Sequence, residues 1–318
     1  MLKRNALLVT LHLGTAALLL FILPVFLLPS SQQWAWLAVA LLPSANALFQ
    51  LLHEGIHGHL ARDRNHNFWL GRVLTLLFGG SFTQLRTAHL LHHKYNRTQL
   101  ERVEVYERKR GQYLWQAFDY YFQLFGGLYL AVLLPPIVFC LVPKAGLRRI
   151  AARMPATTYA GQVALASLAR DRTIRNIRLE AAAVVALFVA SAACYGSHWL
   201  LFLTVIFGRG ACFSLADYVY HYGSPVGDVR HAYNLHMVEP LSTLLLHSHY
   251  HGVHHAHPHI PWYKLREQFC AEKLRYDGSF VRHFIGQLRG PIFSDTVPVL
   301  ENMRPSAARA VANKDLAA

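Results

Sequence analysis

Apolar residues run from Ala6 to Leu28, pause at the uncharged "PSSQQ" (29–33), and resume from Trp34 to Leu52. A helix crossing the hydrocarbon core of a bilayer needs about 20 such residues, so the pattern predicts two membrane helices joined by a short turn. The first follows Lys3 and Arg4, is long for the apolar part of a signal peptide, and precedes no small-residue cleavage site. The stretch "FWLGRVLTLLFGGSF" (68–82) is apolar but too short to cross, which predicts a re-entrant or interfacial helix. Residues 113–142 are apolar, with Gly126-Gly127 and Pro135-Pro136 inside and basic flanks at both ends. Two like flanks predict a hairpin or a surface-lying element there. Ala181–Tyr195 and Trp199–Val219, around the uncharged "GSH" (196–198), predict a helical hairpin. The expected fold is all-α: a polytopic membrane protein of about four spans plus re-entrant or interfacial helices, closed by a polar, His-rich cap. Residues 1–300 are expected to form one domain, with 301–318 a flexible Ala-rich tail.

Composition supports the membrane reading. Of 318 residues, 53% are hydrophobic and only 15% charged, with mean hydropathy +0.23. Soluble domains carry about 25% charged residues. The net charge of +14 might suggest nucleic acid, but the basic residues cluster between apolar segments, around 94–110 and 144–178. That placement fits positive-inside topology and anionic headgroups, and nucleic acid is set aside as a partner. With Lys3 and Arg4 inside, His53 emerges on the cytoplasmic face of what is expected to be a bacterial inner membrane. Cys140, Cys194, Cys212 and Cys270 are scattered without a C-x-x-C pair and read as inert packing thiols.

Twenty histidines outnumber the seventeen acidic residues. Three clusters carry the signal: His53-x-x-x-His57, His89-x-x-His92-His93 and His251-x-x-His254-His255. On a helix, residues three and four apart share a face, so each cluster projects imidazoles together. "HEGIH" (53–57) is also the H-E-x-x-H signature of zinc peptidases, with Glu54 as the base. Nine candidates (the eight above and His221) are too many for one catalytic zinc, which takes three protein ligands. Two ions with four or five imidazoles each would use them all. Imidazole suits zinc, copper, iron and nickel alike.

These blocks resemble the membrane fatty acid desaturase and hydroxylase superfamily, with its H-x₃-H, H-x₂-HH and H-x₂-HH pattern. "YHGVHHAHPHIPWYKL" (250–265) is similar to the desaturase ending Y-H-x-x-H-H-x-x-P-x-[IV]-P-[WY]. "DYVYHYG" (217–223) resembles the N-Y-x-E-H-Y-G segment of alkane monooxygenases, with Asp217 for Asn and Tyr220 for Glu. The likeness spans about residues 45 to 265 and implies His221 as a ninth ligand. It further implies two iron ions, O₂, a fatty acyl substrate, and electrons from a separate ferredoxin, cytochrome b5 or rubredoxin type carrier. No H-P-G-G or flavin motif is present in the chain.

Removing hydrogen from an unactivated carbon needs a strong oxidant kept from bulk water, and neutral imidazoles suit that. Ligating histidines usually donate their other N–H to a carboxylate or carbonyl; Glu54, Asp119, Asp217, Asp228 and Glu239 are candidates for that role. Gly79-Gly80 and Gly126-Gly127 are expected to make room for an acyl chain. Arg209, costly in lipid, is expected to face the bundle interior, toward Asp217 or a substrate head. Pro258, Pro261, Trp262 and Tyr263 are expected to shape the turn behind the last block. His59, His247, His249, His257 and His259 are left as neighbours, not ligands. Desaturation is the favoured reaction, with hydroxylation and decarboxylation to a terminal alkene as siblings. Alternatives are a carotenoid ketolase or hydroxylase and, from another class, an intramembrane zinc protease using His53, His57 and Asp217. A metal sensor or transporter would need histidines spread across the bilayer, whereas these gather on one face.

Overall fold

The computed structural model describes residues 3–108 and 112–300; the predicted tail, 301–318, lies outside them. Helix makes up 73% of the structure. Among the described residues, strand is limited to two-residue parallel pairs, Val105–Tyr106 with Ile292–Phe293 and Leu235–His236 with Gly278–Ser279. The all-α class stands.

The first helix runs from Lys3 through Ala17 and continues as a π-helical stretch, Leu18–Leu27, around Pro24. Proline lacks an N–H and crowds the preceding turn, and the wider π register takes up that misfit. Ser31 turns the chain, its hydroxyl accepting from Gln33 N at 3.3 Å. The return leg is bent: Gln32–Leu41 and Ser44–His57 meet at 45° next to Pro43. It reaches His57, beyond the predicted end at Leu52, and stops at Gly58 with φ 88°, a left-handed position glycine adopts without a Cβ clash.

Asp171–Tyr195 and Trp199–Asp217 reverse at Gly196 (φ 48°). Gln32 and His198 are hydrogen bonded at 3.0 Å, so both tight turns sit at one end of the bundle. Asn5, whose amide donates to His59 O and Leu60 O, marks the other end. Among the described residues, three helical stretches are long and apolar enough to cross a membrane (Arg4–Ser30, Tyr113–Leu141 and Asp171–Tyr220), or four if the bent pair counts as one.

Between these legs lie two inserted pairs. Arg64–Phe78, capped by Asp63, descends to Gly79 (φ 105°), and Phe82–Tyr95 climbs back. Glu180 fastens the tip, accepting from Arg72 Nε (2.8 Å), Ser81 Oγ (2.7 Å) and Thr83 N (2.8 Å). Tyr113–Leu141 breaks at Gly126 (φ 142°). Its first arm meets the last helix through Gln123 and Tyr218, and just past the break Tyr129 meets Ser214. Its second arm runs back along Asp171–Tyr195, with Phe139 packed on Ile177 and Ala181 and Val142 O accepting from Arg178. Both ends therefore return toward the Asn5 end, as the two basic flanks predict.

Some expectations fail. Room at the glycine pairs is partial: a Cβ on Gly80 would meet Val132 at 2.6 Å and one on Gly127 would meet Phe122 of its own preceding turn at 2.6 Å, whereas one on Gly126 would meet nothing within 4 Å. Gly80 permits close helix approach and Gly127 the tight bend. The basic region 144–178 contains two short helices, Lys144–Arg153 and Tyr159–Leu168, that charge concealed. All four cysteines are free, and Cys140 and Cys270 are exposed where packing thiols were expected. One buried cluster reaches from Val9 through Phe49, Phe78, Tyr129 and Phe213 to Trp262, joining bundle and cap.

Candidate metal centre

The bundle positions four histidine-bearing segments at its Asn5 end. The last turn of Ser44–His57 presents His53 and His57. The climbing helix Phe82–Tyr95 presents His89, His92 and His93. His221 follows the short turn Tyr218–Tyr220. His251, His254 and His255 come from the six-residue helix His251–Ala256, whose Val253 N is held by Asn234 Oδ1 at 3.0 Å.

All nine converge into two groups. His53, His57, His89, His93 and His254 form one; His92, His221, His251 and His255 form the other, with donor atoms in each within 4.8 Å of one another. The atoms that meet are Nε2: His57–His89 at 2.9 Å, His89–His93 at 3.0 Å and His93–His254 at 3.1 Å. In the second group His221–His251 lie at 3.0 Å, and His92–His255 and His251–His255 at 3.2 Å. Metal–nitrogen bonds of about 2.1 Å would let donors this close share one ion in each group after small shifts. His53 Nε2 is buried with no hydrogen-bond partner among the described residues. A buried nitrogen left bare is costly unless something else engages it. The donor set therefore fits two ions.

The spacing explains the division. His53/His57 and His89/His93, four apart, fall in the first group, and His251/His255 fall in the second. His92 and His254 point across to the opposite group, so each H-x-x-H-H block stitches the two together. The groups adjoin, with the rings of His93 and His255 at 4.5 Å.

Electrostatics favour uncharged rings. Burial, reinforced by the other imidazoles, pushes His89, His93, His221, His254 and His255 below the ordinary histidine range, and His251 down to about 3. His92 is the exception: burial lowers it, but the carboxylates of Glu101 and Asp217 outweigh burial and raise it. Neutral imidazole is the form that binds a metal.

Glu101 went unnoticed in the sequence. It meets His92 Nδ1 at 2.6 Å, which fixes the ring so that Nε2 faces the group. The only sequence signal is an acid nine positions after His92, in a basic stretch. The anticipated acids mostly do other work. Glu54 accepts from Trp262 N at 3.1 Å and lies beside His59, bracing the cap. Asp228 pairs with Arg230, Glu239 with Arg266, and Asp119 accepts from Gln123. These contacts correct the expectation for Asp228, Glu239 and Asp119; Asp217 acts on His92 through its field. Arg209 does face the interior, 3% exposed, and donates to Leu77 O, which corrects the pairing with Asp217. Trp262 also donates from its indole to Asn5 Oδ1, so the "PW" turn anchors the final block to the first helix. His59, His247 and His257 pair with Glu54, Ser242 and Glu272, outside both groups.

A cavity of about 10 Å³ touches His53 and His254 of one group and His251 of the other, with Glu54, Ser248 and Trp262 in its wall. That is room for about one water-sized molecule.

Comparison with known proteins gives one result. A family description, "Fatty acid desaturase", matches residues 29–284, a span holding all nine histidines. None of the curated proteins and none of the solved structures compared matches the chain significantly. Most of the chain lies within the family match, and the chain belongs to the fatty acid desaturase family.

Proposed function

We propose that this protein is an oxygen-dependent di-iron oxidase of fatty acyl chains, and that its reaction is desaturation. The observation that carries the reading is the division of nine buried or half-buried histidines into adjacent groups of five and four. A single-zinc peptidase leaves most of them without a role, and its would-be base, Glu54, is turned to Trp262 N and His59.

His53, His57, His89, His93 and His254 would hold one iron, and His92, His221, His251 and His255 the other. Two irons in a shell of neutral imidazoles supply the oxidising power to take two hydrogens from adjacent methylenes. The balance is one O₂, two electrons and two protons in, and one double bond and two waters out. A one-electron carrier of the ferredoxin, cytochrome b5 or rubredoxin type would bring the electrons.

The protein's own contribution is placement and dryness. Glu101 holds His92 in one orientation. Phe49, Phe78 and Phe213 pack beneath the first group, with the Phe49 ring 6.2 Å from that of His53, and keep water from it on the bilayer side. An acyl chain reaching the irons from the membrane would pass this aromatic floor. The basic flanks support a reading in which the centre faces the cytoplasmic side of a bacterial inner membrane.

Expression in a host lacking the activity, followed by mass spectrometry of lipids and headspace, tests the reading. A new double bond in host acyl chains is expected. A hydroxylated chain or a volatile terminal alkene would keep the oxidase and change the reaction. Oxidised carotenoid in a carotenoid-making host, with acyl chains untouched, would overturn the substrate class.

A further inference from the structure

Between the end of the second arm of Tyr113–Leu141 and the start of Asp171–Tyr195 lies a cavity of 310 Å³, lined by Lys144, Asp171, Ile174, Arg175, Arg178 and Leu179. It sits at the same end of the bundle as the histidines but belongs to neither group. Three of its six lining residues are cations and one is an acid. The acid is engaged, Asp171 Oδ1 lying 2.5 Å from Lys144 Nζ and 3.4 Å from Arg148 Nη2. Both are solvent-exposed pairs and hold each other weakly. Arg178 gives Nη2 to Val142 O at 2.6 Å, while its Nε is shielded from solvent with no hydrogen-bond partner among the described residues. Arg175 is exposed on the same helix.

The walls are apolar. Ile174 is buried in a cluster with Phe139, Leu147 and Ile177, while Leu179 is 66% exposed. Lys144–Arg153 lies alongside with Leu147 and Ala151 buried and Arg148, Arg149 and Arg153 outward, the pattern of a helix in a membrane interface. A positive-inside signal requires basic residues on this flank but no cavity among them. A cation-rimmed hollow with an exposed aliphatic side, at the ends of two apolar helices, suits a phosphate diester that carries acyl chains.

We propose that this hollow binds the phosphate of an anionic phospholipid, with Lys144, Arg175 and Arg178 as the cationic rim and Leu179 against the acyl chains. The test uses the full-length protein and the double variant Lys144→Gln/Arg175→Gln, which alters two side chains outside the core. Thermal melting is compared in phosphatidylglycerol nanodiscs, in phosphatidylcholine nanodiscs, and in phosphatidylcholine with added inorganic phosphate. Lipid retained on the protein is read by native mass spectrometry. The parent is expected to melt several degrees higher in phosphatidylglycerol and to retain that lipid, and the variant to lose both effects while matching the parent in phosphatidylcholine. The proposal is overturned if the variant keeps the parent's gain, if phosphatidylcholine is retained equally, or if inorganic phosphate alone reproduces the gain, which would make this a free-anion site.

Discussion

At the scale of the residue, two side chains carry separable weight. Glu101 touches His92 and no other member of the nine through a hydrogen bond. Replacing it by Gln leaves every imidazole in place, yet carboxylate partners of ligating histidines typically contribute 10–100-fold to metal affinity. Glu101→Gln is therefore expected to weaken iron retention in the second group by about that factor, measured by competition with a chelator; unchanged retention would remove Glu101 from the centre. His221 is one of only four donors in its group. His221→Ala is expected to lower bound iron from about two per chain to about one and abolish activity. Full retention of both would strike it from the ligand set.

At the scale of the element, the re-entrant pair matters most because it delivers His89, His92 and His93 from a helix that begins deep in the bundle. Glu180 locks its tip by accepting from Arg72, Ser81 and Thr83. Glu180→Ala strands these donors at a half-buried place, and about 1–3 kcal/mol of stability is expected to go with it. The melting temperature in detergent checks this; a variant as stable as the parent would mean the tip is held otherwise. Gly71 supplies a contrast with Gly14. A Cβ on Gly71 would stand 2.5 Å from the Phe82 ring, whereas one on Gly14 would meet nothing within 4 Å. Gly71→Ala is expected to lower the melting temperature, and Gly14→Ala to leave it unchanged or slightly raised.

Much of this was legible in the chain because two strong regularities write it there. Bilayer thickness demands long apolar runs, and metal ligation demands imidazoles at helical spacing; the legs of the bundle and the nine histidines follow from those alone. Contacts between residues far apart in sequence leave no such trace. Glu101 was missed because its partnership with His92 depends on a loop. Glu239 and Asp228 were expected at the site because acids near histidines look alike until the fold shows them paired with Arg266 and Arg230. Gly80 and Gly127 were read as space, since a sequence cannot tell a hollow from a close approach.

At the scale of the whole molecule, the shared burial of the histidines ties stability to pH. His251, at about 3 in the fold against 6.5 ordinarily, takes up protons first in the unfolded chain as pH falls. His89, His221, His254 and His255 shift the same way, and His92 shifts against them. The metal-free protein is then expected to be most stable above pH 6.5 and to lose stability steadily between pH 6.5 and 3, because the unfolded state binds more protons there. Melting curves of chelator-treated protein across that range would show it; a flat profile would mean the rings are solvated.

The most direct measurement is metal content, taken on the anaerobically purified parent and on two variants, one from each histidine group: His57→Ala and His221→Ala. About two irons per chain are expected for the parent, with about one in each variant. One zinc and no iron in the parent, or iron left at its full complement after either substitution, would contradict the two-ion centre.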